Sequence, residues 1–194
     1  MKCVFRYLIP LILLLSTSPI SVEAHSSPLK GTEVFPAGAR PAPSFALRDQ
    51  SGQPVTLRGL RGRLVALTFL DSKCRQACPV AAGNLARVQA ALGRHTPLTV
   101  VVVSVAPGVD TPRTVHAFMK KAHLHGPWHW LLGTKWQLTP VWLKYGIYVK
   151  DTRTDILHTS AVFLIDKHGS VRVADSVPLI APQFIHDVRV LAHR

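Results

Sequence analysis

The sequence is short of cysteine and of acidic residues, and each shortage excludes a class of protein. Three cysteines in 194 residues are too few for a disulfide-stabilised scaffold. Only 10 residues are Asp or Glu against 23 Lys or Arg, so the net charge of +13 reflects a shortage of acidic residues and not an abundance of basic ones. Because hydrophobic residues make up 47% of the chain, we expect a globular domain with a real core, not a disordered polyelectrolyte.

The motifs of several functional classes are also missing. The basic residues are scattered, with no stripe that alternates with aromatic residues and no zinc-finger or RNA-recognition motif. We therefore expect no nucleic-acid partner. No Gly-rich phosphate loop, Ser-His-Asp arrangement or haem motif is present. The positive charge instead suits an exported protein that meets an inner-membrane surface or acidic partner proteins.

The N-terminus predicts export. Lys2 and Arg6 precede an apolar run over residues 7–15, and Val22-Glu23-Ala24 forms an acceptable cleavage site. The run is shorter than the roughly 20 residues that a membrane-spanning helix needs. We expect a signal peptide over residues 1–24, with an uncleaved N-terminal anchor as the alternative. Both predict a periplasmic or other extracytoplasmic location, and the anchor would tether the protein to the inner membrane.

The remaining chain divides into a leader and one domain. Residues 25–43 are rich in Pro, Ser, Gly and Ala, which is typical of a flexible leader. The domain is predicted over 44–194. Its patterns predict a hairpin over 44–57, strands over 64–70 and 98–105, helices over 79–94, 111–124, 134–145 (broken or bent near Pro140) and 181–193, and a hairpin of strands 161–166 and 170–175.

This order of elements predicts an α/β fold. A strand–helix–strand unit followed by an antiparallel hairpin and a helix gives a mixed sheet flanked by helices on both faces. That arrangement is thioredoxin-like, with an added N-terminal β-hairpin.

A pair of cysteines lies between the first buried strand and the next helix. Cys74 and Cys78 precede Pro79, which suits the first turn of a helix. A helix N-terminus favours thiolates, the form that redox exchange and metal binding both need. The Cys-x-x-x-Cys spacing permits a disulfide, a redox pair or a shared metal ion. Two soft thiolates suit Cu(I), whereas zinc usually takes four protein ligands.

Copper held by two thiolates needs a third ligand, and His158 is the best candidate. It lies directly before the strand predicted over 161–166, and in a thioredoxin-like sheet that point lies beside the cysteine loop. Thioredoxin-like enzymes usually place a cis-proline near there, but no proline falls between Pro140 and Pro178. The sequence therefore predicts a metal site formed by the two cysteines and His158.

Over roughly residues 43–192 the chain resembles the Sco (SenC) family of copper chaperones for cytochrome c oxidase assembly. The resemblance implies a thioredoxin-like fold, an extracytoplasmic location and copper bound by two Cys and one His. It also implies copper delivery to, or thiol reduction of, the dinuclear copper site of the oxidase. The implied partners are the oxidase copper subunit and a thiol-reductant protein. The residues that carry the resemblance are Cys74, Cys78-Pro79, Val103-Ser104-Val105, Asp110-Thr111-Pro112 and His158.

Two positions depart from the family pattern. Arg75 stands where a proline commonly follows the first cysteine, and Ala106 stands where the family has an acid. A positive Arg75 favours the thiolate form of the cysteines and would attract an acidic partner. Asp71 and Arg75 are candidates to tune the loop around the ligands.

A second function remains open from the same cysteines. A thiol–disulfide oxidoreductase or redox sensor would use Cys74 and Cys78 without needing His158. A copper chaperone would not be an enzyme, whereas this alternative would. A peroxidase is less favoured because it rests on a fold-level likeness alone. A purely structural disulfide is disfavoured because so short a loop stabilises little.

Other histidines offer weaker candidates for metal binding. His123, His125 and His129 lie close together in the sequence and could hold a borderline metal ion. The favoured interpretation is electrostatic, since histidine near a helix C-terminus is stabilising. His25 would become the N-terminus after cleavage and could bind Cu(II) with its amino group.

Overall fold

The computed structural model describes residues 28–94, 96, 98–153 and 155–193. The predicted signal peptide and His25 lie outside these residues. Within the described ranges, no helix has the length and apolar character needed to cross a bilayer.

The fold is a mixed sheet with helices on both faces, as predicted. Its six strands run in the order β1-β10-β9-β4-β5-β6, and the pairs β2–β3 and β7–β8 form separate hairpins. The strands are β1 (Glu33–Val34), β2 (Ala46–Arg48), β3 (Pro54–Thr56), β4 (Leu64–Leu70), β5 (Leu98–Ser104), β6 (Trp128–Leu131), β7 (Val149–Asp151), β8 (Ile156–His158), β9 (Ala161–Ile165) and β10 (Val171–Ser176). The helices are α1 (Ala77–Leu92), α2 (Pro112–Lys121), α3 (Lys135–Lys144) and α4 (Ala181–Ala192).

The centre of the sheet explains the two long apolar runs of the sequence. Every residue of β4 and β5 is buried, and the two strands pair in parallel from Leu64↔Leu98 to Leu70↔Ser104. Parallel strands covered on both faces need apolar side chains at every position. One face packs against α1, α2 and α4, and the other packs against α3 and the β2–β3 hairpin.

The parallel pairing of β4 and β5 places the two loops that follow these strands at one edge of the sheet. The chain leaves β4 at Leu70 into the cysteine loop and leaves β5 at Ser104 into the loop before α2. Both strands end at the same edge because they are parallel, which is where open α/β sheets usually bind their ligands.

The local helix signals in the sequence are mostly confirmed. Thr111 caps α2 through a capping box with Thr114, and Pro112 occupies its first turn. The helix ends at Lys121, earlier than predicted. The helix was expected to break or bend near Pro140, and it does not break there, since α3 continues as one helix through that residue.

Strand β6 and the β7–β8 hairpin were not predicted from the sequence. Strand β6 lies in the histidine- and tryptophan-rich stretch after α2, and its four residues are too few to show the alternation of apolar and polar residues that marks a strand. The β7–β8 hairpin contains Lys150, Asp151 and His158, so its strands lack the apolar character that usually marks a strand.

The expectation of a flexible leader needs correction for its described part, residues 28–43. Strand β1 pairs with β10, and Leu29 is buried in the core. Two carboxylates fix this segment, because the backbone N–H of Lys30 donates to Asp187 and that of Thr32 donates to Asp175. The segment is therefore an edge of the domain.

Candidate metal centre

The cysteine loop is held by hydrogen bonds from its own first residues. Buried Asp71 accepts the backbone N–H of Lys73 on its Oδ1 at 2.7 Å, and its carbonyl accepts the N–H of Cys74. Asp71 therefore shapes the turn that leads to the first cysteine. This is the positioning role that the sequence suggested for it.

Both cysteines are free thiols at the N-terminus of α1. Cys74 is half-buried and Cys78 is 1% exposed. The backbone N–H of Cys78 donates to Cys74 Sγ at 3.4 Å, so the first turn of the helix directs a donor at that sulfur. Such a contact is the usual interaction of helix N-termini with anions.

Burial has the largest effect on the pKa of the second cysteine, Cys78. Desolvation raises the pKa of the Cys78 thiol far above its ordinary value, and the neighbouring Cys74 sulfur raises it further. A hydrogen bond from the Asp71 backbone acts in the opposite direction but is smaller. The expectation that the helix N-terminus favours both thiolates therefore does not hold for Cys78, because burial favours the protonated form of its thiol.

His158, at the end of β8, reaches the second cysteine. Its Nε2 lies 3.8 Å from Cys78 Sγ. Its Nδ1 lies 3.0 Å from the carbonyl oxygen of Thr159. A carbonyl can only accept, so Nδ1 carries a proton, and in the neutral form of the ring Nε2 is the atom that presents a lone pair to the sulfur. Metal-binding histidines are typically oriented in this way, with the other ring nitrogen bonded to a carbonyl.

The structure places the three predicted residues together without closing a metal cage. Among the residues described, no three His, Cys, Asp or Glu side chains form a ready metal-binding group. Cys78 and His158 already face each other, and Cys74 Sγ lies over the backbone of Cys78. The three side chains are therefore neighbours around the start of α1.

The buried carboxylate of Asp110, to which the sequence assigned no role of its own, connects the cysteine loop to the next loop. Asp110 accepts the backbone N–H of Ser72 at 2.9 Å, the hydroxyl of Ser104 at 2.6 Å and the indole N–H of Trp130 at 3.2 Å. Burial raises the pKa of Asp110, and the hydrogen bonds from Ser104 and Ser72 partly offset this. The Asp-Thr-Pro motif was the signal for this role, but sequence alone suggested only a helix cap.

The two departures from the family pattern occupy different environments. Arg75 is exposed beside Cys74, where its charge is available to a partner. Ala106 is buried, and its backbone N–H donates to the hydroxyl of Ser104. An acid at that position would lie close to the Asp110 network.

The three neighbouring histidines do not form one site. The rings of His123 and His125 are 6.3 Å apart on the exposed loop after α2. His129 lies on β6 and pairs instead with buried Asp49, with Nδ1 2.8 Å from Oδ2.

Comparisons with known proteins show the family to which the sequence is similar. The sequence model of the SCO1/SenC family matches residues 36–190. A protein of Stutzerimonas stutzeri that is named for copper binding is 26% identical, and the match covers 77% of this chain and 79% of that protein.

Solved structures of the family share the fold. A SCO1/SenC family lipoprotein of Bacillus anthracis has a TM-score of 0.72 at 24% identity, covering 79% of this chain and 95% of that one. Apo Sco1 of Thermus thermophilus has a TM-score of 0.72 at 22% identity, covering 87% and 99%. ScoI of Bradyrhizobium japonicum, solved with copper bound, has a TM-score of 0.68 at 24% identity, covering 77% and 98%. These likenesses establish the thioredoxin-like fold.

Proposed function

The chain belongs to the SCO1/SenC family, and from this premise we propose that it is an extracytoplasmic copper-binding protein. In this proposal Cys74, Cys78 and His158 hold one Cu(I) ion. The ion is cargo: the protein either delivers it to the copper site of a respiratory oxidase or prepares the thiols of that site.

The orientation of His158 is the observation that carries the proposal. Its Nδ1–H is bonded to the Thr159 carbonyl, and its Nε2 lone pair lies 3.8 Å from Cys78 Sγ. A histidine that served only as a surface group would not need a fixed tautomer directed at a buried thiol. Two soft sulfurs with one imidazole are a donor set that suits Cu(I).

The donor set also suits a cargo ion more than a permanent one. Three ligands leave an open coordination position, and Cys74 is half-buried at the edge of the site. A partner's ligand can therefore enter as a protein ligand leaves. Binding requires Cys78 to lose its proton, so copper uptake releases protons.

The target and the location are extensions of the same proposal. The protein BsSco, whose fold matches with a TM-score of 0.70, is described as a member of the Sco family of cytochrome c oxidase assembly proteins. Together with the export signal expected over residues 1–24, this supports a periplasmic protein that acts on the copper subunit of an oxidase. If the signal is uncleaved, the protein remains tethered to the inner membrane.

An anaerobic competition titration with a Cu(I) chelator tests the three-ligand site. We expect the reduced protein to bind one Cu(I), and His158→Ala to weaken binding by at least about 100-fold because it removes a direct ligand. His168→Ala, at an exposed histidine of the β9–β10 turn, is the matched control and should bind as the parent does. Equal affinity in the parent and His158→Ala would overturn the site.

Thiol exchange is a second candidate function, favoured by the state of the two cysteines. Both are free, and the N–H of Cys78 already touches Cys74 Sγ. A Cys74 thiolate can attack a client disulfide and form a mixed disulfide. Cys78, once deprotonated, then attacks Cys74 Sγ, which releases the client as a dithiol and leaves a Cys74–Cys78 disulfide. A separate thiol-reductant protein would restore the pair.

Exchange with oxidised glutathione under anaerobic conditions distinguishes this second function. The reduced protein should form an internal disulfide, and Cys78→Ser should accumulate a stable adduct on Cys74. His158→Ala should react as the parent does, since exchange needs no imidazole ligand. A dithiol that does not react with glutathione disulfide or with client disulfides would remove this function.

A further inference from the structure

A cavity of about 990 Å³ opens directly beside the metal centre, between α1 and α2. We propose that it is a docking groove for an acidic segment of a partner protein, anchored by apolar side chains. The inference rests on the proposed function, because the partner in question is the one that exchanges copper or thiols with Cys74.

The groove exists because the facing surfaces of the two helices are made of small residues. Helix α1 packs closely against α4 on its other side, whereas the space between α1 and α2 stays open. A trough of this kind can accept inserted side chains from a partner. Its apolar lining consists of Pro79, Gly83, Ala86, Ala90, Ala117, Phe118 and Ala122.

The rim of the groove carries charge of one sign. Lys73 and Arg75 lie at the end nearest the metal centre, and Arg87 and Lys121 lie on the two helices. All four side chains are exposed, and no Asp or Glu is among the described residues that line the groove. None of the four has a carboxylate within salt-bridge distance in the described part of the chain. The groove is therefore complementary to a segment rich in Asp or Glu.

The groove lies next to one of the proposed metal ligands. Cys74 lines one end of it, and His123 and His125 line the other. A bound segment would consequently present its own ligand or thiol beside the more exposed cysteine. Of the three proposed ligands, Cys74 lines the groove and Cys78 and His158 do not, so an occupant at this end meets Cys74 first.

The charges around the groove favour a partner protein over two other occupants, namely the apolar run of this chain and a lipid surface. The apolar run of this chain over residues 7–15 contains no acidic residue and is preceded by Lys2 and Arg6. It therefore lacks the charge that the rim would attract. An anionic lipid surface would satisfy the charges, but a flat bilayer does not fill a trough between two helices. Binding to a lipid surface is one of the outcomes that the test below measures.

Binding of designed peptides to the reduced, copper-free protein tests the groove. The probe is a fluorescein-labelled amphipathic helical peptide with Leu at every third or fourth position and Glu between. The first matched peptide has Lys in place of Glu, and the second has Ser in place of Leu. We expect the Glu/Leu peptide to bind at least about ten-fold more tightly than either, with an affinity that falls as salt rises.

Paired variants locate the binding. Lys121→Glu should weaken binding of the Glu/Leu peptide about ten-fold, whereas Lys120→Glu should leave it unchanged. Both lysines are exposed in the last turn of α2, but only Lys121 lines the groove. Ala90→Trp should block the trough, and Ala91→Trp, at an exposed neighbour outside it, should not.

The outcomes separate the groove from the metal site. Equal effects of the two lysine variants, or equal binding of all three peptides, would overturn the groove. Binding to phosphatidylglycerol vesicles that Ala90→Trp abolishes, without peptide binding, would identify a lipid surface and also overturn it. Because the peptides are measured without copper, a failed Cu(I) titration would contradict the metal site and leave the docking result independent.

Discussion

Cys78 Sγ and His158 Nε2 lie 3.8 Å apart although 80 positions separate the two residues in the sequence. The thiol is buried at the start of α1, and the imidazole stands at the end of the β7–β8 hairpin. The contact joins the cysteine loop to a part of the chain that contributes nothing to the central sheet. The candidate metal centre is therefore assembled by tertiary structure and not by neighbouring residues in the sequence.

The two thiols should differ in reactivity. Under conditions where the protein is folded and reduced, iodoacetamide should modify Cys74 at least about ten-fold faster than Cys78, because Cys78 is buried and its pKa is raised by desolvation. Peptide mass spectrometry over a time course measures both rates. Unfolding in guanidinium chloride should make the rates similar, and equal rates in the folded protein would contradict the assigned burial.

Asp110 should stabilise the edge of the sheet that carries the cysteine loop. Asp110→Ala leaves the donors of Ser72, Ser104 and Trp130 without their acceptor, and we expect a loss of about 3 kcal/mol in the free energy of unfolding. Urea denaturation measures it. Asp155→Ala, at an exposed carboxylate of the β7–β8 turn, is the comparison and should cost well under half as much. Similar losses would argue against the network.

Asp187 should fix the segment before β1. It is fully buried in α4 and accepts the N–H of Lys30, so Asp187→Ala should destabilise the protein by about 2 kcal/mol and expose residues 28–34 to proteases. Limited proteolysis followed by mass spectrometry checks the site of cleavage. Cleavage confined to other loops would disprove the tether.

The pH dependence of Asp187 has a defined sign. Burial raises the pKa of this carboxyl, although hydrogen bonds from Lys30 and Gly31 act against the increase. Its contribution to stability is therefore greatest at low pH and declines as pH rises through the folded-state pKa. Asp187→Asn resembles the protonated form and should remove this decline. Unfolding free energies of the parent and the variant across acid to neutral pH measure the difference.

Asp49 should show the opposite dependence. Burial raises its pKa, but the hydrogen bond from His129 and those from the Ser51 and Gln53 backbone outweigh it, so the pKa lies below its usual value. The resulting stability is present above the unfolded-state pKa and is lost as pH falls through the folded-state pKa. Asp49→Asn should lower the free energy of unfolding at neutral pH and flatten the acid limb of the stability curve. An unchanged acid limb would refute the assignment.

Much of the fold follows from local sequence patterns. The apolar runs at 64–70 and 98–104 could only be buried central strands, and Thr111-Pro112 marked the start of α2 by cap chemistry alone. The short strands gave no such signal. Strand β6 has four residues, and the β7–β8 hairpin depends on cross-strand pairs such as Val149↔His158 rather than on an apolar pattern.

By itself, the sequence determined the chemistry that this protein carries: two closely spaced thiols before a helix, a histidine before a buried strand, and a marked excess of positive charge. Only the tertiary structure decided how those groups act together. Burial at Cys78 opposes the helix terminus, which is a competition that spacing cannot reveal because it depends on the packing of distant residues. The approach of His158 and the basic groove beside Cys74 have the same origin. Both arise where chain segments far apart in sequence meet at one edge of the sheet.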